Sequence, residues 1–292
     1  MTYAPGQLAA LLAIAEHGTF EAAARHLHVT PSAISQRVRA LESASGQVLV
    51  RRGTPCTPTA AGRVLLRLAR QVRLLEDEIR AELAEEREAR VDLPVAVNAD
   101  SLATWFRDVV ADVAGWDGTV LRLHVEDQAW SADLLRNGDV LGAVTSDPTA
   151  VQGCTVTRLG SLRYWPAATP ELVERWRRGR WPDLTRMPVV VFNDKDTLQD
   201  QLAQARGQRI GGPRHRVPTS ADFVEAVRLG LGWAAVPEPQ LAPELEVGRL
   251  VRLGARWHAD VDLHWQCWRL DSPALARLTQ SVRRAAAARL RA

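Results

Sequence analysis

Thr19-Phe-Glu-Ala-Ala-Ala-Arg-His-Leu-His-Val-Thr-Pro-Ser-Ala-Ile-Ser-Gln-Arg-Val-Arg-Ala-Leu-Glu-Ser-Ala-Ser45 decides how the whole chain is read. It divides into two short helices around a tight turn. Thr30 is placed to cap the second helix, and Pro31 suits the first helical position, where a missing N–H costs nothing. Ile34, Val38 and Leu41 then recur at i, i+4 and i+7, which puts them on one buried face. Thr30, Pro31, Ser32, Ser35, Gln36 and Arg39 are left at the start and on the outer side. In the preceding helix Phe20, Ala23, Ala24 and Leu27 make the matching apolar face, and the alanines permit a close crossing. A capped helix that shows hydroxyls, an amide and guanidinium groups is what a major groove accepts. On spacing alone, a helical hairpin with a solvated outer face stays open.

Outward from this hairpin, residues 5–17 predict a first helix with Leu8, Leu11, Leu12 and Ala15 on one face. Residues 47–58, after Gly46, predict a short strand, a turn and a return. Arg51 and Arg52 at that turn could approach phosphates or a minor groove; a merely solvated turn is the alternative. From Thr59 a long helix is expected to about Arg90. Leu68, Val72, Leu75, Ile79 and Leu83 make an apolar seam on it, suited to pairing with a partner helix. A twofold dimer would set two reader helices roughly 34 Å apart.

The totals agree with a multidomain protein. The chain has 292 residues, 46% of them apolar, and a net charge of +3. Residues 1–70 carry eight Arg against three Glu, whereas residues 76–88 carry seven acids against two Arg. A basic head on an acidic stalk suits a polyanion held at one end. The apolar stretch Leu8–Ala15 is too short to span a bilayer and no basic segment precedes it, so a cytoplasmic protein with no membrane partner is expected. Cys56, Cys154 and Cys267 lie far apart, which supports neither a zinc site nor a disulfide framework. G-x-S-x-G, H-E-x-x-H, Walker and C-x-x-C patterns are missing. His124 and His264 lie in strand patterns as core or edge residues. No catalytic residue, metal site or cofactor is therefore expected.

From Asp92 the pattern becomes β/α alternation, which predicts mainly parallel sheets with crossover helices. The fold class expected is an α+β / α/β multidomain chain. A winged helix-turn-helix spans 1–58, a linker helix 59–90, and a two-lobed effector domain resembling periplasmic binding proteins 91–292. Lobe I would comprise 91–161 and 269–292, and lobe II 162–268, hinged by strands near 162–168 and 261–268. Ligands in open α/β sheets bind beyond the carboxyl ends of strands, where helix N-termini gather. Asn98, Asp100, Ser101, Glu126, Asp127, Ser146, Asn193, Asp194, Ser220 and Asp222 sit at such ends. Hydroxyls and free N–H groups there can take a carboxylate, and the acids can take ammonium groups; an amino acid carries both. For each acid, simple helix capping is the alternative.

The run Phe20-x-x-Ala-Ala-Arg-x-Leu-x-Val-Thr-Pro-Ser-Ala-Ile-Ser-Gln-Arg-Val-x-Ala-Leu-Glu42 resembles the winged helix-turn-helix of LysR-type transcriptional regulators. Thr57-Pro-Thr-Ala-Ala-Gly62 resembles their junction between wing and linker helix. Ala96-Val-Asn-Ala-Asp-Ser-Leu-Ala-Thr-Trp105, Arg122-Leu-His-Val-Glu-Asp127 and Gly138-Asp-Val-Leu-Gly-Ala-Val144 are similar to the LysG/ArgP branch. That resemblance implies a homodimer or homotetramer on double-stranded promoter DNA, with RNA polymerase as a further partner. It also implies sensing of lysine, arginine or histidine and control of an amino-acid exporter. The branch's ligand positions carry over to Ser101 and the Glu126-Asp127 turn. Phe192-Asn-Asp-Lys-Asp196 departs from the branch pattern by introducing Lys195. An effector-independent architectural or replication-origin protein is the alternative function.

Overall fold

The structure, a computed structural model, describes residues 2–83, 90–125 and 128–292, with the side chains of 128–130 set aside. Three helices come first: α1 (Pro5–His17), α2 (Phe20–His26) and α3 (Pro31–Ser45). Leu8, Leu11, Leu12, Ile14, Ala23, Ala24, Ile34, Val38 and Leu41 close one small core. Thr19 Oγ1 accepts from the Ala22 N–H (3.1 Å) and Thr30 Oγ1 from the Ala33 N–H (3.2 Å), so each hydroxyl takes one of the donors a helix start leaves unpaired. Strands β1 (Val50–Arg51) and β2 (Thr57–Pro58) pair antiparallel as the wing.

Helix α4 (Ala60–Leu83) follows and presents three differently occupied faces. Gly62, Leu65, Leu66 and Ala69 are buried against the N-terminal core. Arg67, Arg70, Leu74 and Glu78 lie roughly 120° round the helix at about 100° per residue, and they meet the C-terminal domain. Arg67 stacks over Trp268 (5.2 Å), Arg70 pairs with Asp139 (2.8 Å), and Glu78 accepts from the Ser272 hydroxyl (2.6 Å) and the Ala274 N–H (2.9 Å). On the third face Leu75, Ile79 and Leu83 are exposed, while Leu68 and Val72 are half-buried against the N-terminal core. Val64, one turn earlier, extends this exposed apolar stripe. The expected continuation of the helix to residue 90 falls largely on 84–89, outside the described residues.

The C-terminal domain runs β3 (Val91–Val97), α5 (Ala99–Ala103), α6 (Arg107–Val113), β4 (Thr119–Val125), α7 (Gln128–Asn137), β5 (Gly142–Thr145), β6 (Cys154–Ala168), α8 (Pro170–Arg175), β7 (Arg177–Arg178), β8 (Trp181–Pro182), β9 (Val189–Val191), α9 (Leu198–Gln204), β10 (Arg214–Arg216), α10 (Ser220–Arg228), β11 (Ala234–Pro237), α11 (Glu238–Glu246), β12 (Val251–Arg252), β13 (Ala259–Trp268) and α12 (Pro273–Arg289). Strands β3, β4 and β5 are parallel neighbours, as the alternation predicts. The sheet as a whole is mixed, which corrects the mainly parallel expectation. The long strands β6 and β13 run antiparallel to each other from Cys154↔Trp268 to Tyr164↔Ala259. One end of the pair adds β5 and the other end adds β11. The hinge strands expected near 162–168 and 261–268 are thus the middle and far ends of two strands common to both lobes. Beside β6, helix α11 is a further difference from the sequence reading: Pro243 sits inside it, and only Leu241 and Glu244 of it are buried. Its two prolines and thin apolar pattern hide it from a periodicity reading.

Candidate functional site

At the N-terminal end, Thr30, Pro31, Ser32, Gln36 and Arg39 are exposed and Ser35 is half-buried. Ile34, Val38 and Leu41 on the opposite side of α3 are fully packed. The polar side of α3 therefore faces outward, in the orientation that the heptad-like spacing predicts. The wing is fixed to this helix by hydrogen bonds at Leu49. Its N–H donates to Glu42 Oε1 on α3 (2.9 Å), and its carbonyl accepts from the Thr59 N–H (2.9 Å). Thr59 Oγ1 donates to the Val48 carbonyl (2.6 Å) and accepts from the Gly62 N–H (3.0 Å). Gly62 is small for a steric reason: a Cβ there would lie 2.1 Å from the Leu49 carbonyl oxygen. Arg51 and Arg52 are both exposed on the wing, and Arg52 lies over the Phe20 ring (5.3 Å). That stacking holds one guanidinium beside the start of α2.

At the other end a cavity of about 370 Å³ lies between the lobes. Asn98, Asp100 and Ser146 line it from lobe I, Asn193, Lys195, Asp196 and Gln199 from lobe II, and Tyr164 from the shared strand β6. Asn98 caps α5 through its side chain, which accepts from the Ser101 N–H (3.1 Å). Asp100 bridges the lobes. One carboxylate oxygen accepts from Tyr164 Oη (2.9 Å) and the other from Ser220 Oγ (3.1 Å) at the start of α10. Burial pushes the Asp100 carboxyl above its ordinary range, opposed by the Tyr164 and Ser220 donors, while the nearby Asp196 adds to the rise. Burial and then the Asp100 charge drive the Tyr164 hydroxyl well above its ordinary value. Asp196 accepts from the Phe192 and Leu198 N–H groups and from Gln199 Nε2 (2.9, 3.2 and 3.0 Å), which fixes its carboxylate at the cavity wall. Two polar atoms are buried here with no partner among the described residues: Ser101 Oγ and Gln199 Oε1.

Of the ten residues expected to contact a ligand, Asn98, Asp100, Ser146 and Asn193 line the cavity. Ser101 and Ser220 are buried immediately behind it. Asp194 and Asp222 do not line it. Asp194 pairs with Arg216 at the surface and Asp222 accepts from the Thr219 hydroxyl, so both serve local loop and cap geometry. Glu126 and Asp127 lie outside the described residues. Asp196, at the same strand-to-helix junction as Asn193, also lines the cavity. Tyr164 and Gln199 are not expected from the sequence, and Tyr164 sits mid-strand and gives no local sign.

His264 is buried in β13 and His124 is exposed on the edge strand β4. Cys154 lies opposite Trp268 and Cys267 opposite Thr155, so the two thiols occupy opposite faces of the β6–β13 ribbon. Burial pushes the Cys154 thiol up to about 12. Among the described residues no three His, Cys, Asp or Glu side chains gather as a metal site, and no helix is long and apolar enough to cross a membrane.

Two family models match the chain: bacterial regulatory helix-turn-helix protein, lysR family, over residues 5–63, and LysR substrate binding domain over residues 93–287. The chain is 48% identical over 289 residues to the lysine export transcriptional regulatory protein LysG of Corynebacterium efficiens, covering 98% of this chain and 99% of that protein. Among solved structures it is similar to full-length LysG from Corynebacterium glutamicum with bound effector Arg. The TM-score there is 0.84 at 44% identity, over 99% of this chain and 100% of that one. It is also similar to ArgP from Mycobacterium tuberculosis, with a TM-score of 0.90 at 46% identity over 100% and 99% of the two chains.

Proposed function

This chain belongs to the LysR family of bacterial helix-turn-helix regulators, and from that premise we propose that it is a transcription regulator gated by arginine or lysine. Ser32, Ser35 and Gln36 would meet base edges, with Thr30 and Pro31 at the groove entrance. Arg39, Arg51 and Arg52 would hold phosphates. Base-edge contacts typically supply about 1–3 kcal/mol of discrimination each, whereas phosphate contacts give salt-sensitive affinity. The stripe through Leu68, Val72, Leu75, Ile79 and Leu83, exposed at its last three members, would pair with the same stripe of a second copy, as a dimer or as the unit of a tetramer. Control of an amino-acid exporter in the cytoplasm, with RNA polymerase as a downstream partner, belongs to the same reading.

One observation carries the ligand half: the interlobe cavity is walled by the carboxylates of Asp100 and Asp196 and backed by a Gln199 carbonyl oxygen with no partner among the described residues. Acceptors gathered this way suit an ammonium or guanidinium group, whose donors are all N–H. Lys195 and the helix starts offer the complementary charge for a carboxylate. A ligand that pulls on Asp100 competes with the Tyr164 and Ser220 hydrogen bonds, and so acts on the contact that joins the lobes. The support from relatives points the same way, since the similar LysG structure is described with effector Arg. Calorimetry with arginine, lysine, histidine and neutral amino acids tests the proposal, followed by footprinting of promoter DNA with and without the tightest ligand. Heat from neutral and basic amino acids alike, or a footprint unmoved by saturating ligand, would end it.

A further inference from the structure

Lobe II carries a second arginine-bearing hairpin, unconnected with the cavity. Arg177-Arg178-Gly179-Arg180-Trp181 repeats the Arg-Arg-Gly tripeptide of the wing, Arg51-Arg52-Gly53. Strands β7 and β8 pair Arg177↔Pro182 and Arg178↔Trp181, leaving Gly179 and Arg180 as a two-residue turn. Gly179 has φ +65° and nothing within 4 Å of where its Cβ would stand, so the tip projects into open space. The Arg178 side chain there is 84% exposed.

Behind the tip, two indoles each carry two guanidinium groups. Arg175 and Arg186 lie over Trp176 (5.6 and 5.5 Å), and Arg180 and Arg206 lie over Trp181 (5.3 and 4.2 Å). Arg206 also reaches Trp257 (4.8 Å). Among the described residues none of these four arginines has a carboxylate within ion-pair distance. The acids of this segment are engaged otherwise: Glu174 with Arg177 and Asp183 with Arg178. The arrangement gathers like charges without neutralising them, and stacking fixes each planar fork so that little freedom is lost when it takes an anion.

We propose that this hairpin is a second phosphate-binding surface, which grips the backbone of duplex DNA flanking the operator; the proposal rests on the DNA-binding reading above. Two features favour a phosphate backbone, which a guanidinium fork matches bidentately. The indole faces are already covered by guanidinium groups and Trp176 packs on the domain core, so neither can stack bases as a single-strand site requires. The hairpin carries the Arg-Arg-Gly tripeptide of the wing, on a two-residue turn where the wing has a longer loop.

The test measures the salt dependence of full-length protein on two duplexes, the bare footprinted operator and the same operator with long flanking arms. A phosphate contact adds about 0.9 to the slope of log affinity against log salt. Loss of two contacts in the double variant Arg180→Gln/Arg186→Gln should remove about 1.8 of slope on the armed duplex, about 12-fold in affinity between 50 and 200 mM salt. Binding to the bare operator should be unchanged. Arg178→Glu, in β7 beside the turn and with a side chain 84% exposed, should act in the same direction. Equal slopes for wild type and both variants on armed DNA overturn the proposal. So does a loss of transcription in vitro with those slopes unchanged, which would assign the surface to an acidic protein. Failure of the wild type on the bare operator would instead strike the helix-turn-helix reading, so the two failures are distinguishable.

Discussion

Gly62→Ala sets two opposed effects against each other with a definite winner. Gly62 lies in the first turns of α4, and at a free helical position alanine would gain about 1 kcal/mol over glycine. Here the new Cβ would stand 2.1 Å from the Leu49 carbonyl oxygen and 3.3 Å from Pro58 Cβ. To reach an ordinary contact, the carbonyl must move by more than an ångström. It cannot do so freely, because Leu49 donates to Glu42 on α3 and accepts from the Thr59 N–H. Overpacking of this kind costs about 1–3 kcal/mol, and each hydrogen bond that the shift breaks adds about 1 kcal/mol. Against the propensity gain, the net expectation is a loss of about 2–3 kcal/mol from the N-terminal domain. The wing would also be displaced from α3. Urea unfolding followed by a probe in the N-terminal domain, together with anisotropy on operator DNA, measures both consequences. Refutation would be a variant more stable than wild type by about 1 kcal/mol with unchanged DNA affinity, since that is the behaviour of an uncrowded helix position.

Gln36→Ala should relax sequence preference, with specific and nonspecific affinities converging by about 1–3 kcal/mol, whereas Arg52→Ala should weaken all duplexes alike and flatten the salt slope by about 0.9; competition assays against random DNA separate the two. Asp100→Asn should reduce affinity for a cationic ligand by tenfold or more, read by calorimetry. Its carboxyl is raised in the folded state, so the stability it contributes is complete below its unfolded pKa and is lost as pH rises through the folded value. The apo variant should therefore melt at or above wild type near neutral pH and show a shallower loss of stability between acid and neutral conditions. A lower melting temperature at neutral pH would mean that the bonds to Tyr164 and Ser220 outweigh burial of the charge. Ile79→Arg, on the exposed stripe of α4, should shift the sedimentation profile towards monomer and lower operator affinity more steeply than nonspecific affinity; an unaltered profile would place the dimer contact elsewhere.

The N-terminal end was legible because its constraints are local. A cap at Thr30, a proline after it and apolar residues at Ile34, Val38 and Leu41 determine both the helix and which side it buries. The cavity was legible only in part. Strand-to-helix junctions located Asn98, Asp100, Ser146 and Asn193, but the same signal also picked Asp194 and Asp222, whose partners are local. The choice among acids at such junctions depends on which ones a crossing strand brings within reach. Tyr164 belongs to a strand that serves both lobes, and its bond to Asp100 spans 64 residues of sequence. Likewise, alternation of strands and helices could not show that β6 and β13 oppose each other, because that pairing joins residues about a hundred positions apart.

Helix α4 has no idle side: one face packs on the N-terminal core, one meets the C-terminal domain, and the third would be the twin's under the reading proposed above. A residue inserted or deleted in its middle would turn every later position by about 100°. Arg70, before the change, and Glu78, after it, could then not hold their partners at once, and Leu75 and Ile79 would rotate off the line of Val64. The molecule can vary this rod by exchanging letters, but its length is frozen.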